Sequence, residues 1–186
     1  DPIPAFVERD REIPVMRDSL TAGYFRQEQN SGLIGIYEHT GAVEAWAPKG
    51  VPEWASESEL FTEDLDRLMP WLGNALERMP VLADAGIKQI FNGAISHTPD
   101  GPPLLGPVAG LKNFWLCCGA SFGIAQGAGC GKYLAQWMLY GDADINMTGL
   151  DPRRFGVFAD DPYLRSTVFQ DYCNTFVTPL PSEELP

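Results

Sequence analysis

The stretch LCCGASFGIAQGAGCGKYL, residues 116–134, joins an apolar run to a glycine-rich turn, and it touches three functional motifs without completing any. Gly119-Ala120-Ser121-Phe122-Gly123 is a literal G-x-S-x-G, the turn that presents a hydrolase serine between a strand and a helix. On that fold the histidine base follows the serine, whereas His39 and His97 both precede Ser121, so the hydroxyl lacks its activator. A phosphate-cradling P-loop needs glycine upstream of the Gly-Lys pair and a hydroxyl residue after it; Gly131-Lys132 has Gln126 and Tyr133 at those places. The dinucleotide fingerprint G-x-G-x-x-G, started at Gly127 and Gly129, meets Lys132 where its third glycine belongs. The shared physics survives all three failures. Glycines allow close backbone approach, and free N–H groups at a helix start favour negative charge, which suits the pyrimidine end of a reduced flavin. Helix–strand packing accounts for such glycines equally well.

Cys117, Cys118, Cys130 and Cys173 have no C-x-x-C spacing and lie far in sequence from both histidines, so no metal centre is expected. The adjacent Cys117 and Cys118 are expected as buried strand thiols, with a redox pair as the alternative. Thirteen basic residues stand against 25 acidic ones, and a net charge of −12 with no basic patch argues against nucleic acid. With 45% apolar side chains in 186 residues, one or two globular units are expected. No apolar run approaches the roughly 18 residues of a membrane span and no secretory signal pattern occurs, so the expectation is a soluble, intracellular (cytoplasmic) chain without membrane insertion. The opening Asp1-Pro2 suggests a mature or cut terminus.

The elements that must position these residues follow from periodicity. GYFRQEQNSGLIGIYEH (23–39) reads as a β-hairpin turning at Gln29-Asn30-Ser31-Gly32, with Tyr24, Arg26 and Glu28 on one face and Phe25 and Gln27 on the other. From Thr62, taken as the N-cap, Leu65, Leu68, Met69, Leu72, Leu76 and Met79 recur at helical spacing, with Pro70 and Gly73 as kink positions. KQIFNGAISH reads as a strand, TPDGPPLLGP as an irregular loop and LKNFWLCC as a strand buried on both faces. A helix then runs to about Met138, with Leu134, Trp137 and Met138 inward and Gly141 as its stop. Composition shifts near residue 149.

The ordered set Asn92-Gly93, Thr98-Pro99-Asp100 and Leu105-Gly106-Pro107, followed by the apolar strand and glycine-rich helix start, resembles the carboxyl-side part of the flavin domain in the FAD-dependent dimethylglycine and sarcosine dehydrogenase family. The likeness extends back through REIPVMRDSLTAGYFRQEQNSGLIGIYE and ELFTEDLDRLMPWLGNALERMPVL, and forward into DPRRFGVFADDPYL. It implies an α+β fold like that of D-amino-acid oxidase: an antiparallel substrate-domain sheet with packed helices, plus the closing strand and helix of the FAD domain. The implied division is 1–97 for the substrate portion, 98–149 for the FAD portion and 150–186 for the start of a connecting region. Gly119, Ala120, Ser121, Phe122, Gly123 and Ile124 match the segment that lies against the flavin in that family, with Pro99 and Asp100 also on the cofactor side. Ser121 would then be a flavin neighbour rather than a nucleophile. Tyr24, Arg26 and Tyr37 fall near the family's substrate pocket, and for Tyr24 a plain core position is the equal alternative.

The family's amino-terminal dinucleotide fold and its frequent folate-binding domain are not in this sequence. The resemblance therefore implies a fragment of a longer flavoenzyme that demethylates N-methylglycine-type amines with FAD, tetrahydrofolate belonging only to a downstream domain. Its implied partners are the small amine, the rest of the same polypeptide and an electron-transfer acceptor, in the mitochondrial matrix if the source is eukaryotic. A related amine or amino-acid oxidase and a non-catalytic module are the alternatives.

Overall fold

In the GYFRQE run, alternate residues differ in polarity, which lets one strand face feed a core while the other meets water. The computed structural model describes residues 2–45, 60–178 and 180–182, and it combines helices with two small antiparallel sheets. The chain divides into two units, one holding the residues up to Ala94 and those from Tyr172 onward, the other holding Ile95–Asp171.

In the first unit β1 (Met16–Asp18), β2 (Gly23–Glu28) and β3 (Ser31–Ile36) pair in that order. The hairpin register runs from Gly23 opposite Ile36 to Glu28 opposite Ser31. The turn is thus only Gln29-Asn30, with Gln29 at φ 53°, and Ser31 and Gly32 already belong to the ladder. Alternation along β2 is as expected: Phe25 and Gln27 are buried, Arg26 and Glu28 exposed. Phe25 packs with Ile3 and Phe6 of the short α1 (Pro4–Val7), with Ala75 of α2 (Leu65–Arg78) and with Leu82. The buried amide of Gln27 is satisfied, accepting from Ile13 N at 3.1 Å and donating to Gln29 O at 2.7 Å.

Two expectations fail here. The cap of α2 is Asp64, not Thr62: Asp64 Oδ1 accepts from Arg67 N at 3.2 Å, which Thr62 is too far upstream to do. The Thr62 carbonyl instead accepts from Asn92 Nδ2 at 2.7 Å. KQIFNGAISH is not a strand; it makes one isolated bridge, Gly93 to Leu60. A strand needs a neighbour for its N–H and C=O groups, and among the described residues this segment meets one only around Asn92, whose carbonyl takes Phe61 N at 2.8 Å.

The second unit pairs β4 (Leu104–Pro107) with β5 (Trp115–Cys118), so the supposed loop ends as a strand. Leu105, at 2% exposure, centres a core with Cys130, Leu134 and Met147. Leu134 and Cys130 come from α3 (Gly123–Tyr140), which Gly141 closes by donating to Trp137 O at 2.9 Å. Met138 lies outside rather than inward, 53% exposed, because the helix turns it away from the Leu134–Trp137 stripe. Nor is β5 buried on both faces: Cys117 and Cys118, consecutive and so on opposite faces, are both exposed, no layer among the described residues covering them. α4 (Asp161–Asn174) follows a short 3₁₀ turn at Pro152–Arg154.

Candidate functional site

The hairpin brings Tyr24 and Tyr37 into one aromatic cluster. Tyr24 on β2 lies across Gly35 of β3, where a side-chain carbon would stand 2.1 Å from the tyrosine ring, so only glycine admits this placement. Tyr37 follows β3 and is anchored by its N–H to Ala22 O at 2.8 Å. Between them sits Phe176, buried, with ring centroids 6.0 Å from Tyr24 and 4.8 Å from Tyr37. Tyr172 adds a ring 5.5 Å from Tyr37, and the Arg17 guanidinium covers Phe176 at 4.7 Å while donating to Thr175 O. Burial, then the neighbouring Tyr24, raises the Tyr37 pKa, so its phenol is a hydrogen-bond donor through the neutral range. Arg26 is not in this cluster; it pairs with Glu28 at 2.5 Å on the solvent side. Tyr172, Phe176 and Arg17 escaped sequence reasoning, although Tyr172 and Phe176 four residues apart at a helix end signal one packed face.

Behind Tyr37 lies a buried carboxylate. Glu38 is 4% exposed, faces Arg67 Nε at 2.9 Å and accepts from the Tyr172 hydroxyl. Burial first, and the Glu38 contact second, hold the Tyr172 phenol well above its ordinary range. The native phenol therefore keeps its proton above pH ~10, where an unfolded tyrosine ionises, so this group's stabilisation is complete below about pH 10 and declines as pH rises further. Guanidinium denaturation between pH 9 and 11.5 (a range of about 2.5 units) should show the midpoint falling with pH, and Tyr172→Phe should flatten that fall while costing about 1–3 kcal/mol at neutral pH.

The glycine-rich bend belongs to the second unit. Gly119 has φ 73°, and a Cβ there would stand 2.6 Å from Thr98 Cγ2, so both backbone conformation and space demand glycine. The positive φ falls on Gly119 and not on Ser121, whose conformation lacks the strain of a nucleophile elbow. Phe122 is the N-cap of α3 and supplies no side-chain cap, leaving the first helical N–H groups for an outside acceptor. Ile124 is fully exposed and Phe122 is 44% exposed, both on this bend. One turn on, the buried Gln126 Oε1 accepts no hydrogen bond among the described residues, so it fits a donor supplied from beyond them. These features fit a flat, anionic-edged ligand such as a flavin.

Pro99 and Asp100 lie in the loop before β4. Thr98, 2% exposed, donates from Oγ1 to Pro102 O at 2.8 Å, and the Asp100 carboxylate takes Arg154 Nε at 2.7 Å and Nη2 at 2.8 Å. Arg154 was not foreseen, because nothing in the chain couples two residues 54 apart. Partial burial, then Cys117, raises the Cys118 thiol, and burial raises Cys130, which keeps both protonated at neutral pH and disfavours redox chemistry. Among the described residues no cluster of His, Cys, Asp or Glu could hold a metal, and no helix is long and apolar enough to cross a membrane.

Residues 1–137 match the family described as DAO, FAD dependent oxidoreductase. The chain is 37% identical over 177 residues to human mitochondrial dimethylglycine dehydrogenase, covering 94% of this chain and 20% of that protein. It is 31% identical over 186 residues to human mitochondrial sarcosine dehydrogenase, covering 96% of this chain and 19% of that protein. It is 34% identical over 162 residues to the mouse mitochondrial pyruvate dehydrogenase phosphatase regulatory subunit, covering 84% of this chain and 18% of that protein. The chain thus spans about a fifth of the length of these curated relatives.

Proposed function

Because this chain belongs to the DAO family of FAD-dependent oxidoreductases, we propose that it forms part of a flavoenzyme that oxidatively demethylates N-methylglycine-type amines such as dimethylglycine or sarcosine. The observation that carries this reading is the 37% identity to a dimethylglycine dehydrogenase along nearly the whole chain. In this reading the three-stranded sheet belongs to the substrate side and β4, β5 and α3 to the closing part of the FAD domain. FAD, when bound, supplies the two-electron oxidation of the N-methyl carbon.

The chain's own residues bind and orient. Main-chain N–H groups over Gly119, Ala120, Ser121, Phe122, Gly123 and Ile124 hold the ring edge that gathers negative charge, and the Ser121 hydroxyl serves as a donor. Pro99 and Asp100 line the same side. The Tyr24 and Tyr37 hydroxyls donate hydrogen bonds to the carboxylate of the amine substrate, while the aromatic rings around them exclude water and favour its N-methyl groups. Arg26, paired with Glu28 on the solvent side of β2, brings no net charge to that pocket.

The test uses the full-length polypeptide that carries this sequence. It should purify yellow, and anaerobic addition of dimethylglycine or sarcosine should bleach the flavin absorbance; Tyr24→Phe and Tyr37→Phe should each slow the bleaching about tenfold, an effect of roughly 1.4 kcal/mol. Transfer to an electron-carrier protein and not to oxygen marks a dehydrogenase, the reverse an oxidase. The likeness to a regulatory subunit favours one second reading, a non-catalytic module. Bound flavin that no N-methyl amine reduces would support that reading instead.

A further inference from the structure

The side chain of Arg154 engages every donor it has. Nε and Nη2 grip the two oxygens of Asp100 at 2.7 and 2.8 Å, Nη2 also reaches Pro102 O at 2.7 Å, and Nη1 reaches Asp151 O at 3.2 Å and Pro103 O at 3.4 Å. Five N–H groups meet five acceptors, with the side chain only 13% exposed. No lysine can reproduce that fork. Four of the five contacts fall on the Asp100–Pro103 loop. That loop in turn fixes Thr98, whose hydroxyl donates to Pro102 O and whose methyl group packs against Gly119. Leu104, the next residue, pairs with Cys118, immediately before the bend. A continuous chain of contacts therefore runs from the guanidinium to the start of the 119–124 segment.

We propose that Arg154 is a positioning residue for the flavin edge: its clamp sets the Gly119 bend and cancels the Asp100 charge beside the place where the reduced cofactor gathers its own negative charge. The proposal rests on the flavin-facing role given above to residues 119–124. Uncompensated, the Asp100 carboxylate disfavours reduction of a neighbouring flavin, because it repels the negative charge that reduction adds.

The experiment compares Arg154→Lys, Arg154→Gln and the double variant Asp100→Asn/Arg154→Gln in the full-length flavoprotein. It reads flavin content, the rate of anaerobic reduction by dimethylglycine, and the reduced fraction at equilibrium with a reference dye. Arg154→Lys keeps the charge and loses the fork, and its reduction rate should fall about tenfold with flavin retained, an effect of roughly 1.4 kcal/mol. Arg154→Gln should in addition shift the dye equilibrium toward oxidised flavin by about tenfold, and the double variant should restore that equilibrium to within about threefold of the parent (about 0.7 kcal/mol). Lower thermal stability with an unchanged dye equilibrium and rate would show a purely structural clamp and overturn the proposal. If Arg154→Gln does not fold, a wild-type-like rate in Arg154→Lys overturns it alone. A parent protein that holds no flavin refutes the family-based reading itself, a result separate from either.

Discussion

Replacing Glu38 by alanine should cost the first unit about 3–5 kcal/mol, because it leaves Arg67 facing a buried void and strips the Tyr172 hydroxyl of its acceptor. The guanidinium keeps weaker contacts, Asn92 Oδ1 at 3.5 Å and Asp64 at 3.9 Å, which places the effect toward the lower end of that range. Glu38→Gln retains an acceptor for Tyr172 and should cost less. The consequence reaches the aromatic cluster: with Tyr172 loosened, Phe176 loses its fixed place between Tyr24 and Tyr37. Chemical denaturation followed by tyrosine fluorescence measures the loss, and a cost below about 1.5 kcal/mol would show that the buried ion pair contributes little beyond its own desolvation. On the proposed function, substrate affinity should fall before flavin content does.

The second large effect belongs to Gly119→Ala. A residue with a β-carbon loses about 1–2 kcal/mol in the left-handed conformation and meets Thr98 Cγ2 at 2.6 Å, adding about 1–3 kcal/mol of overpacking. The two costs separate cleanly, because Thr98→Ser removes the clashing methyl while keeping the hydroxyl that bonds Pro102 O. Gly119→Ala/Thr98→Ser should therefore recover the steric part and leave the backbone part. Failure of the serine substitution to recover any stability would mean that the bend yields at the backbone instead. In the full-length protein Gly119→Ala should also lower flavin content, since the amides of the following five residues turn with it.

Arg154→Lys works on the same bend from the opposite side. Together these substitutions ask whether the loop and the helix start act as one rigid support. Their effects should be non-additive, because all three residues share one contact chain.

Much was legible in the chain because local chemistry decides it. Period-two alternation gave Phe25 and Gln27 to one face of β2 and Arg26 and Glu28 to the other, and Gly141 marked the end of α3. The ordered motifs from Asn92 to the glycine-rich helix start were enough to indicate the family, since such a set constrains backbone shape at many points at once. Failures came where a partner strand or a distant side chain decides. KQIFNGAISH has the composition of a strand but, among the described residues, makes only the single bridge from Gly93 to Leu60, and nothing among them covers Cys117 and Cys118 on the two faces of β5, so both are exposed. Tertiary structure alone placed Tyr172 and Phe176 against Tyr24 and Tyr37, joined Glu38 to Arg67, and closed Arg154 on Asp100. Hydrogen bonds and ring contacts carry no sequence period across separations of that length; they exist only once the backbone has brought their ends together.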